Sequence, residues 1–465
     1  MNSSEKGTDP MEKEQAKKLL RQPTKSFRTQ DASAVDAFCE DYRAFMDASK
    51  TERDAVRNAI ALAEQAGFAP YVPGEPLRPG QRVYWENRKK SLMLAVIGSK
   101  PLDEGFRIMA AHIDSPRLDL KPSPLYENGG LGYFKTHYYG GIKKYQWTAL
   151  PLALHGVVYR RDGSHVDVCF GEQEDEPVLY ISDLMPHIAK DLHAKPGGEM
   201  IAGETLNLIG GSLPFDEEDG VKLRILSILH EKYGMEERDF ATAELCAVPA
   251  QKSRIVGFDG SMIAAYGQDD KVCAYPALRA LFEQEVPLHT CVVFLADKEE
   301  IGSEGVTGLR SETYASFLRD LCADAGATDR AAFRNSVCLS ADVGGAYDPS
   351  YADAYEAGNS CYLGDGVVVS KYTGSRGKGG CSDASAELLS HVTRLLDSDN
   401  VAWQTGEYGK VDQGGAGTVA SEIAKLGIDV VDVGVPVLSM HSPVELTTKS
   451  DVYAMYQCSQ TFFKS

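Results

Sequence analysis

The sequence predicts an α/β protein with a mostly parallel sheet, interrupted by a β-rich insertion. Helix-like and strand-like segments alternate from Asp259 onward, and this alternation is typical of parallel sheets. Residues 119–254 instead carry short apolar runs between polar and Gly-rich segments. At 465 residues the chain is also long for one hydrophobic core. We therefore expect residues 1–118 and 255–465 to form one domain, with residues 119–254 inserted into it.

The first elements can be predicted from helix signals and apolar runs. Residues 1–30 are polar and predict an irregular arm. One helix is expected to open near Ser33, and a capping box of Thr51 and Asp54 predicts a second that ends at Gly67. Three strand-like runs follow: RVYWENR (82–88), SLMLAVIG (91–98) and FRIMAAHID (106–114).

The insertion and the segment after it are predicted in the same way. Strands are expected in the insertion at LHGVVYR, VDVCF and VLYIS. The later segments alternate as CAYPALRALFEQ (helix), TCVVFLA (strand), 311–326 (helix), NSVCLSA (strand), GVVVSKY (strand), SDASAELLSHVTRLL (helix), VAWQT (strand), TVASEIAKL (helix) and DVVDVGVPVLSM (strand).

Composition excludes several classes of function. The formal net charge of −19, from 48 basic and 67 acidic residues, argues against nucleic acid or an anionic membrane as the main partner. No apolar run has the length of a membrane span, and the charged N-terminus lacks a secretory signal. The ten cysteines are scattered without a CxxC pair, as in proteins of a reducing compartment. We expect a cytoplasmic protein.

Histidines and carboxylates recur where the predicted strands end. Binding sites of parallel sheets form at the carboxyl ends of strands, so these residues are candidates for one site. Asp269 and Asp270 lie at the expected start of a helix. The residues at strand ends are His112, Asp114, Asp297, Glu299, Glu300, Asp342 and His441.

These residue types suit a catalytic metal site. Imidazole and carboxylate ligands without thiolates favour zinc in a catalytic setting. Two histidines and three carboxylates can hold two ions if one carboxylate bridges, and ions ~3.5–4 Å apart can polarise a carbonyl and generate hydroxide. In FLADKEEIGSEG (294–305), adjacent Glu299 and Glu300 would point in opposite directions on an extended chain. One could bind metal while the other acts as general base.

Each candidate also has a structural explanation. His112 and Asp114 could form a hydrogen-bonded pair, and Asp269 could cap a helix. Asp342 could stabilise the turn before Gly344, and His441 could be a hydrogen-bonded histidine at a strand end. From the residue pattern alone, a metal site and a set of structural residues both remain open.

Five segments occur in a characteristic order: AAHIDSPRLDLKP (110–122), YGQDDKVCAYPAL (266–278), ADKEEIGSEG (296–305), SADVGGAYDPSY (340–351) and PVLSMHSPVE (436–445). Over about residues 80–445 the chain resembles the aspartyl aminopeptidase family. The family consists of di-zinc exopeptidases with an α/β catalytic domain and an inserted dimerisation domain.

The resemblance implies a role for each matching residue. It assigns His112 and Asp342 to one zinc, and Glu300 and His441 to the other. Asp269 matches the bridging ligand, although Asp270 stands where the family has Asn, so either aspartate could bridge. Two Zn²⁺ per subunit are implied, with Mn²⁺ or Co²⁺ able to substitute. Glu299 matches the general base, and Asp114 matches the residue that orients His112.

The resemblance also implies an assembly and a substrate preference. His187, in MPHIAKDL (185–192), matches a histidine that reaches a neighbouring active site, which implies a homodimer as building block of a dodecamer. Lys371 matches the lysine that contacts an acidic side chain of a peptide substrate. After YGG (139–141), however, IKKYQWTALPL replaces the run found in aspartyl-specific members, which suggests a bacterial-type member of the family. We therefore expect acidic N-terminal residues to be preferred, with broader tolerance.

Two other classes of function remain as alternatives. Residues 415–420 match GxGxxA, with Asp432 downstream, as in nucleotide-binding oxidoreductases. That fingerprint requires a strand directly before its first glycine, whereas the preceding residues, GEYGKVDQ, do not resemble one. A non-catalytic scaffold on a peptidase fold is the second alternative, and the complete set of candidate ligands argues against it.

Overall fold

The computed structural model describes residues 13–20, 24–216 and 220–465. The arm predicted for residues 1–30 is therefore only partly described, since residues 1–12 and 21–23 lie outside the described residues. The described part of that arm contains a short helix, Lys13–Lys17, and a 3₁₀ helix, Ser26–Arg28.

The strands of the described residues are numbered in chain order. They are β1 (Ala69–Pro70), β2 (Arg82–Asn87), β3 (Ser91–Val96), β4 (Phe106–His112), β5 (Arg117–Asn128), β6 (Leu131–Tyr139), β7 (Pro151–Tyr159), β8 (His165–Phe170), β9 (Leu179–Tyr180), β10 (Leu208–Gly211), β11 (Ala243–Pro249), β12 (Arg254–Val256), β13 (Met262–Ala265), β14 (Thr290–Ala296), β15 (Val337–Ser340), β16 (Gly344–Gly345), β17 (Val367–Ser370), β18 (Trp403–Thr405), β19 (Asp429–Gly434), β20 (Pro436–Val437) and β21 (Glu445–Thr448).

The α-helices are numbered in the same way. They are α1 (Lys13–Lys17), α2 (Ala32–Ala48), α3 (Glu52–Gln65), α4 (Lys190–His193), α5 (Gly197–Met200), α6 (Val221–Tyr233), α7 (Gln268–Phe282), α8 (Glu312–Asp324), α9 (Asp329–Asn335), α10 (Ala386–Ser398), α11 (Ala420–Ala424) and α12 (Lys449–Phe463). Among the described residues, no helix is both long and apolar enough to cross a membrane.

A nine-stranded sheet forms the centre of the larger part of the fold and has helices on both faces. Its order is β1-β2-β3-β14-β4-β15-β19-β17-β18, and β14, β4, β15 and β19 form a parallel block at its centre. Along β14, Val293 and Leu295 pack on one side with α2, α3, α7, α10 and α12. Val292 and Phe294 pack on the other side with α8, α9 and α11. Helices thus cover both faces, which confirms the predicted α/β fold.

The second sheet is antiparallel and has its own core. Its order is β11-β5-β6-β10-β9-β7-β8, and β11 also pairs with β7. This extra pairing closes a ring that runs through β5, β6, β10, β9, β7 and β11, so β11 has partners on both sides. Its apolar side chains pack with those of α6. All of its strands lie between Arg117 and Pro249.

A buried ion pair joins the two sheets. Arg117, at the start of β5, contacts Glu52 of α3 at 2.7 Å from Nη1 to Oε2, and Lys90 Nζ lies 3.2 Å from the other oxygen of Glu52. The Arg117 guanidinium also lies over the Tyr139 ring, 4.2 Å from its centroid. The predicted capping box of Thr51 and Asp54 is present at the start of α3.

Candidate metal centre at the carboxyl edge of the parallel sheet

The parallel register places the first candidate ligands at one sheet edge. His112, the last residue of β4, pairs with Ala296, the last residue of β14. On the other side of β4, Ser340 of β15 pairs with Ala110. Asp342 therefore follows β15 at the level where His112 ends β4, and Nε2 of His112 lies 3.9 Å from Oδ1 of Asp342.

Asp269 lies between the two candidate histidines. Its Oδ1 is 3.0 Å from Nε2 of His112, and its Oδ2 is 3.1 Å from Nε2 of His441. Asp270, joined to it by a cis peptide bond, accepts a hydrogen bond from the backbone N–H of His112 at 3.3 Å. Both aspartates have non-helical backbone angles, so regular α7 geometry begins only after them.

Glu299 and Glu300 lie on a 3₁₀ helix, Glu299–Ile301, and the extended backbone predicted for them is wrong. Lys298 before them is left-handed, with φ of 68°, which turns the chain away from the direction of β14. The two carboxylates still face different histidines. Oε2 of Glu299 lies 3.9 Å from Nε2 of His112, and Oε2 of Glu300 lies 3.4 Å from Nε2 of His441.

Asp114 is fully buried and holds several of these groups in place. Its carboxylate accepts the backbone N–H groups of Glu299 and Glu300, at 3.2 and 3.3 Å. Nδ1 of His112 lies 3.4 Å from its Oδ1 and 3.1 Å from its backbone oxygen. The Tyr139 hydroxyl donates to its Oδ2 at 2.7 Å. Strand β6 of the second sheet thereby contacts the candidate centre.

Sequence analysis missed two of the groups that orient this cluster. Glu445 is buried and accepts the backbone N–H groups of His441, at 2.8 Å, and Asp269, at 3.0 Å. The backbone oxygen of Gly141 lies 2.9 Å from Nδ1 of His441. Glu445 ends the segment PVLSMHSPVE and Gly141 ends YGG, so both lay inside recognised segments. The segments that contain Glu445 and Gly141 could thus be recognised in the sequence, but the contacts of these two residues depend on tertiary packing.

The electrostatics of the cluster fit cation binding. Burial raises the pKa of Asp270, Asp342 and Glu300 well above the ordinary range, and neighbouring carboxylates add to the effect. Burial, with the nearby charges of Asp269 and Asp114, raises the pKa of Glu299 to about 7, although His112 opposes the shift. The anionic forms are thus disfavoured in this setting, and a cation would stabilise them.

The donor atoms also fit metal ions. Oδ1 of Asp270 and Oε1 of Glu300 are buried and have no hydrogen-bond partner. Unpartnered buried oxygens are costly, and a bound cation would pair them. Donor atoms of His112, Asp269 and Glu300 lie within 4.8 Å of one another, as do those of His112, Asp270 and Asp342. Imidazole and carboxylate donors in this arrangement suit zinc.

Three residues that the sequence predicted to be near a binding site or active site lie outside this cluster. Asp297 accepts a hydrogen bond from Thr307 at 2.5 Å and lies 4.0 Å from Lys90, so its contacts are structural. His187 is exposed on the 3₁₀ helix Pro186–Ile188, and Lys371 is exposed just after β17. Among the described residues, neither of these two side chains forms a hydrogen bond or ion pair with the cluster.

The structure lacks the element that the dinucleotide fingerprint requires. The strand before Gly415 is β18, which ends at Thr405, and residues 406–414 contain no strand. The glycines therefore do not join a strand to a helix.

Comparison with known proteins identifies the family. A model of the family described as aminopeptidase I zinc metalloprotease (M18) matches residues 45–463. The chain is 47% identical over 430 residues to a probable M18 family aminopeptidase 1 of Clostridium acetobutylicum, and the match covers 90% of this chain and 92% of that protein.

Solved structures agree with this match. The crystal structure of an M18 family aminopeptidase from Thermotoga maritima has a TM-score of 0.92 at 40% identity, and covers 96% of this chain and 100% of its own. Aminopeptidase I from Clostridium acetobutylicum has a TM-score of 0.90, also at 40% identity, with the same coverage. The resemblance found in the sequence is thus confirmed, and the chain belongs to the M18 family of zinc metalloproteases, whose members are aminopeptidases and therefore hydrolases.

Proposed function

We propose that this aminopeptidase uses two zinc ions per subunit, with Asp269 as the bridging ligand. His112 and Asp342 would hold one ion, and Glu300 and His441 the other. The observation that carries the proposal is the position of Asp269, whose two oxygens lie 3.0 and 3.1 Å from the two histidines. Asp270 accepts a hydrogen bond from the backbone of His112 and groups with His112 and Asp342 only, so the geometry favours Asp269, which faces both histidines, as the bridge.

The proposed reaction is hydrolysis of the first peptide bond of a peptide. Zinc at such a site polarises the carbonyl and lowers the pKa of the attacking water. Glu299 accepts the proton of that water and passes it to the leaving amino group, as a general base and then a general acid. Asp114 fixes the backbone of Glu299 through a hydrogen bond of 3.2 Å, which leaves the Glu299 carboxylate free for proton transfer.

The proposal is tested by removing the metal. Exhaustive chelation should abolish hydrolysis of aminoacyl substrates, and Zn²⁺, Mn²⁺ or Co²⁺ should restore it. Elemental analysis of the restored enzyme should give at least two ions per subunit. Full activity in a metal-free preparation would refute metal dependence, whereas a protein that binds zinc without any hydrolysis would favour the scaffold alternative.

We also propose that the segment 119–254 acts as a dimerisation domain within a larger homo-oligomer, with a dodecamer as the expected form. Large apolar side chains are exposed beside His187: Leu184 is 43%, Met185 57% and Ile188 60% exposed. Exposed apolar clusters commonly mark protein interfaces. His187 in this surface would then complete the active site of the partner subunit. If the protein sediments as a monomer in analytical ultracentrifugation and this monomer is fully active in the hydrolysis assay, the proposed assembly is refuted.

A further inference from the structure

A second group of metal-ligating side chains lies on the β7–β8 hairpin of the antiparallel sheet. His155 of β7 and Cys169 of β8 are directly paired across the two strands. Gly171 follows with a left-handed backbone, φ +94°, and the chain turns so that Glu172 approaches the same histidine. Nε2 of His155 lies 3.8 Å from Sγ of Cys169 and 3.1 Å from Oε1 of Glu172.

Asp54 orients the imidazole of His155. Its Oδ2 lies 3.1 Å from Nδ1 of His155, and the same carboxylate is fixed by the capping box with Thr51 at the start of α3. A carboxylate on one ring nitrogen, with the other nitrogen facing further ligands, is the arrangement found around metal-bound histidines. The imidazole of His155 is 7% exposed, so this orientation is set in a largely buried position.

The distances are compatible with a tetrahedral ion. With bonds of about 2.0–2.3 Å, two ligands of a tetrahedral zinc lie about 3.3–3.8 Å apart; the 3.8 Å from His155 to Cys169 matches this range, and the 3.1 Å from His155 to Glu172 is slightly shorter. A protonated His155 between Asp54 and Glu172 would explain both carboxylate contacts. The buried Oε1 of Glu172 nevertheless lacks a hydrogen bond of suitable geometry despite its proximity to His155, and an ion would pair it.

We propose that His155, Cys169 and Glu172 form a separate binding site for zinc or a similar divalent transition metal. A thiolate with imidazole favours such ions over Mg²⁺ or Ca²⁺, which prefer oxygen ligands. Neutral His155 with the anionic Cys169 and Glu172 balances the charge of a divalent ion, and binding releases the proton of the thiol. Because Asp54 belongs to α3, the ion would tie the hairpin to the helices of the larger sheet.

Cobalt substitution tests this site separately from the catalytic centre. The purified full-length protein is stripped of metal, loaded with Co²⁺ in a thiol-free reductant and examined by near-ultraviolet absorption and elemental analysis. Thiolate bound to Co²⁺ gives a charge-transfer band, whereas the centre at the sheet edge offers imidazole and carboxylate donors. We expect this band in the wild type and about one Co²⁺ per subunit beyond the catalytic ions.

Matched cysteine variants decide the outcome. All cysteines other than Cys169 and Cys381 are buried, so Cys381→Ser is the control for Cys169→Ser. Cys169→Ser should lose the charge-transfer band and about one bound Co²⁺ per subunit. Glu172→Gln should need at least 10-fold more Co²⁺ to reach the same band intensity. Cys381→Ser should match the wild type. Absence of the band in the wild type, or its persistence in Cys169→Ser, would overturn the proposal.

Discussion

The edge of the parallel sheet and the β7–β8 hairpin both gather histidine with acidic ligands, but by different routes. At the sheet edge, residues as distant as His112 and Asp342 meet because the parallel strands β4 and β15 end at one side of the sheet. On the hairpin, His155 meets Cys169 because antiparallel register pairs them directly. Parallel sheets thus collect distant residues at strand ends, whereas hairpins collect near neighbours within strands.

The largest expected effect concerns the two adjacent glutamates of the sheet edge. Glu299→Gln should keep its metal and lose about 10²–10⁴-fold in kcat, since it removes an acid–base group. Glu300→Gln should instead lower metal content, because Glu300 faces His441 at 3.4 Å. Activity assays and elemental analysis on both variants measure the difference. An equal fall in metal content would show that the two residues are not divided in this way.

The ion pair between the two sheets should have the next largest effect, on stability. Burial would raise the pKa of Glu52, but Arg117 and Lys90 outweigh it and lower that pKa from 4.5 to about 2. The pair therefore makes its full contribution to the free energy of unfolding above pH 4.5, and this contribution falls as the pH decreases towards 2. Glu52→Gln should lower the free energy of unfolding at pH 7 by about 3–5 kcal/mol, the usual cost of breaking a buried pair.

Denaturant unfolding between pH 2 and pH 7 measures this contribution. The Glu52→Gln variant should show a weaker loss of stability than the wild type as the pH falls from 4.5. Glu40→Gln on α2 is the control, because Glu40 is 73% exposed in its pair with Arg43 and such pairs contribute little. If both variants behave like the wild type, the Arg117–Glu52 contact does not couple the two sheets energetically.

Substitution of His187 tests whether the segment 119–254 takes part in catalysis. If it completes a partner's site as a hydrogen-bond donor, His187→Ala should lower kcat by about 10²-fold without loss of metal. His193→Ala is the control, since His193 is also exposed on the short helix α4. Oligomers mixed from His187→Ala and Glu299→Gln subunits should be more active than either variant alone, because intact Glu299 then meets the partner's intact His187. No recovery would contradict a shared site.

The smallest expected effect concerns selectivity at Lys371. A charge-assisted hydrogen bond to an acidic substrate side chain is worth about 1.5–3 kcal/mol, so Lys371→Met should lower kcat/KM for Asp- and Glu-led substrates by about 10–100-fold. Leu-, Ala- and Lys-led substrates should be spared. Lys378→Met is the control, since Lys378 lies in the same loop and pairs with Asp383. Equal losses for acidic and neutral substrates would contradict a selective role.

Much of the fold was predictable because its signals are local. The alternation after Asp259, the capping box of Thr51 and Asp54, and the apolar runs of the central strands are properties of short segments. The sequence also predicted that His112, Asp269, Glu300, Asp342 and His441 would meet, because strand ends and family motifs can be recognised one segment at a time. The backbone at Glu299 and Glu300 was predicted wrongly, since an apolar run does not reveal the left-handed turn at Lys298.

By itself, the sequence determined the class of fold, the family and the candidate ligand types of this protein. Only the tertiary structure decided which oxygen of Asp269 faces which histidine, and that buried Glu445 fixes both Asp269 and His441. It also decided that β11 closes the second sheet and that Cys169 lies opposite His155. These features depend on strand register and on packing between segments far apart in the chain, and a one-residue change of register would turn the same side chains to the opposite face.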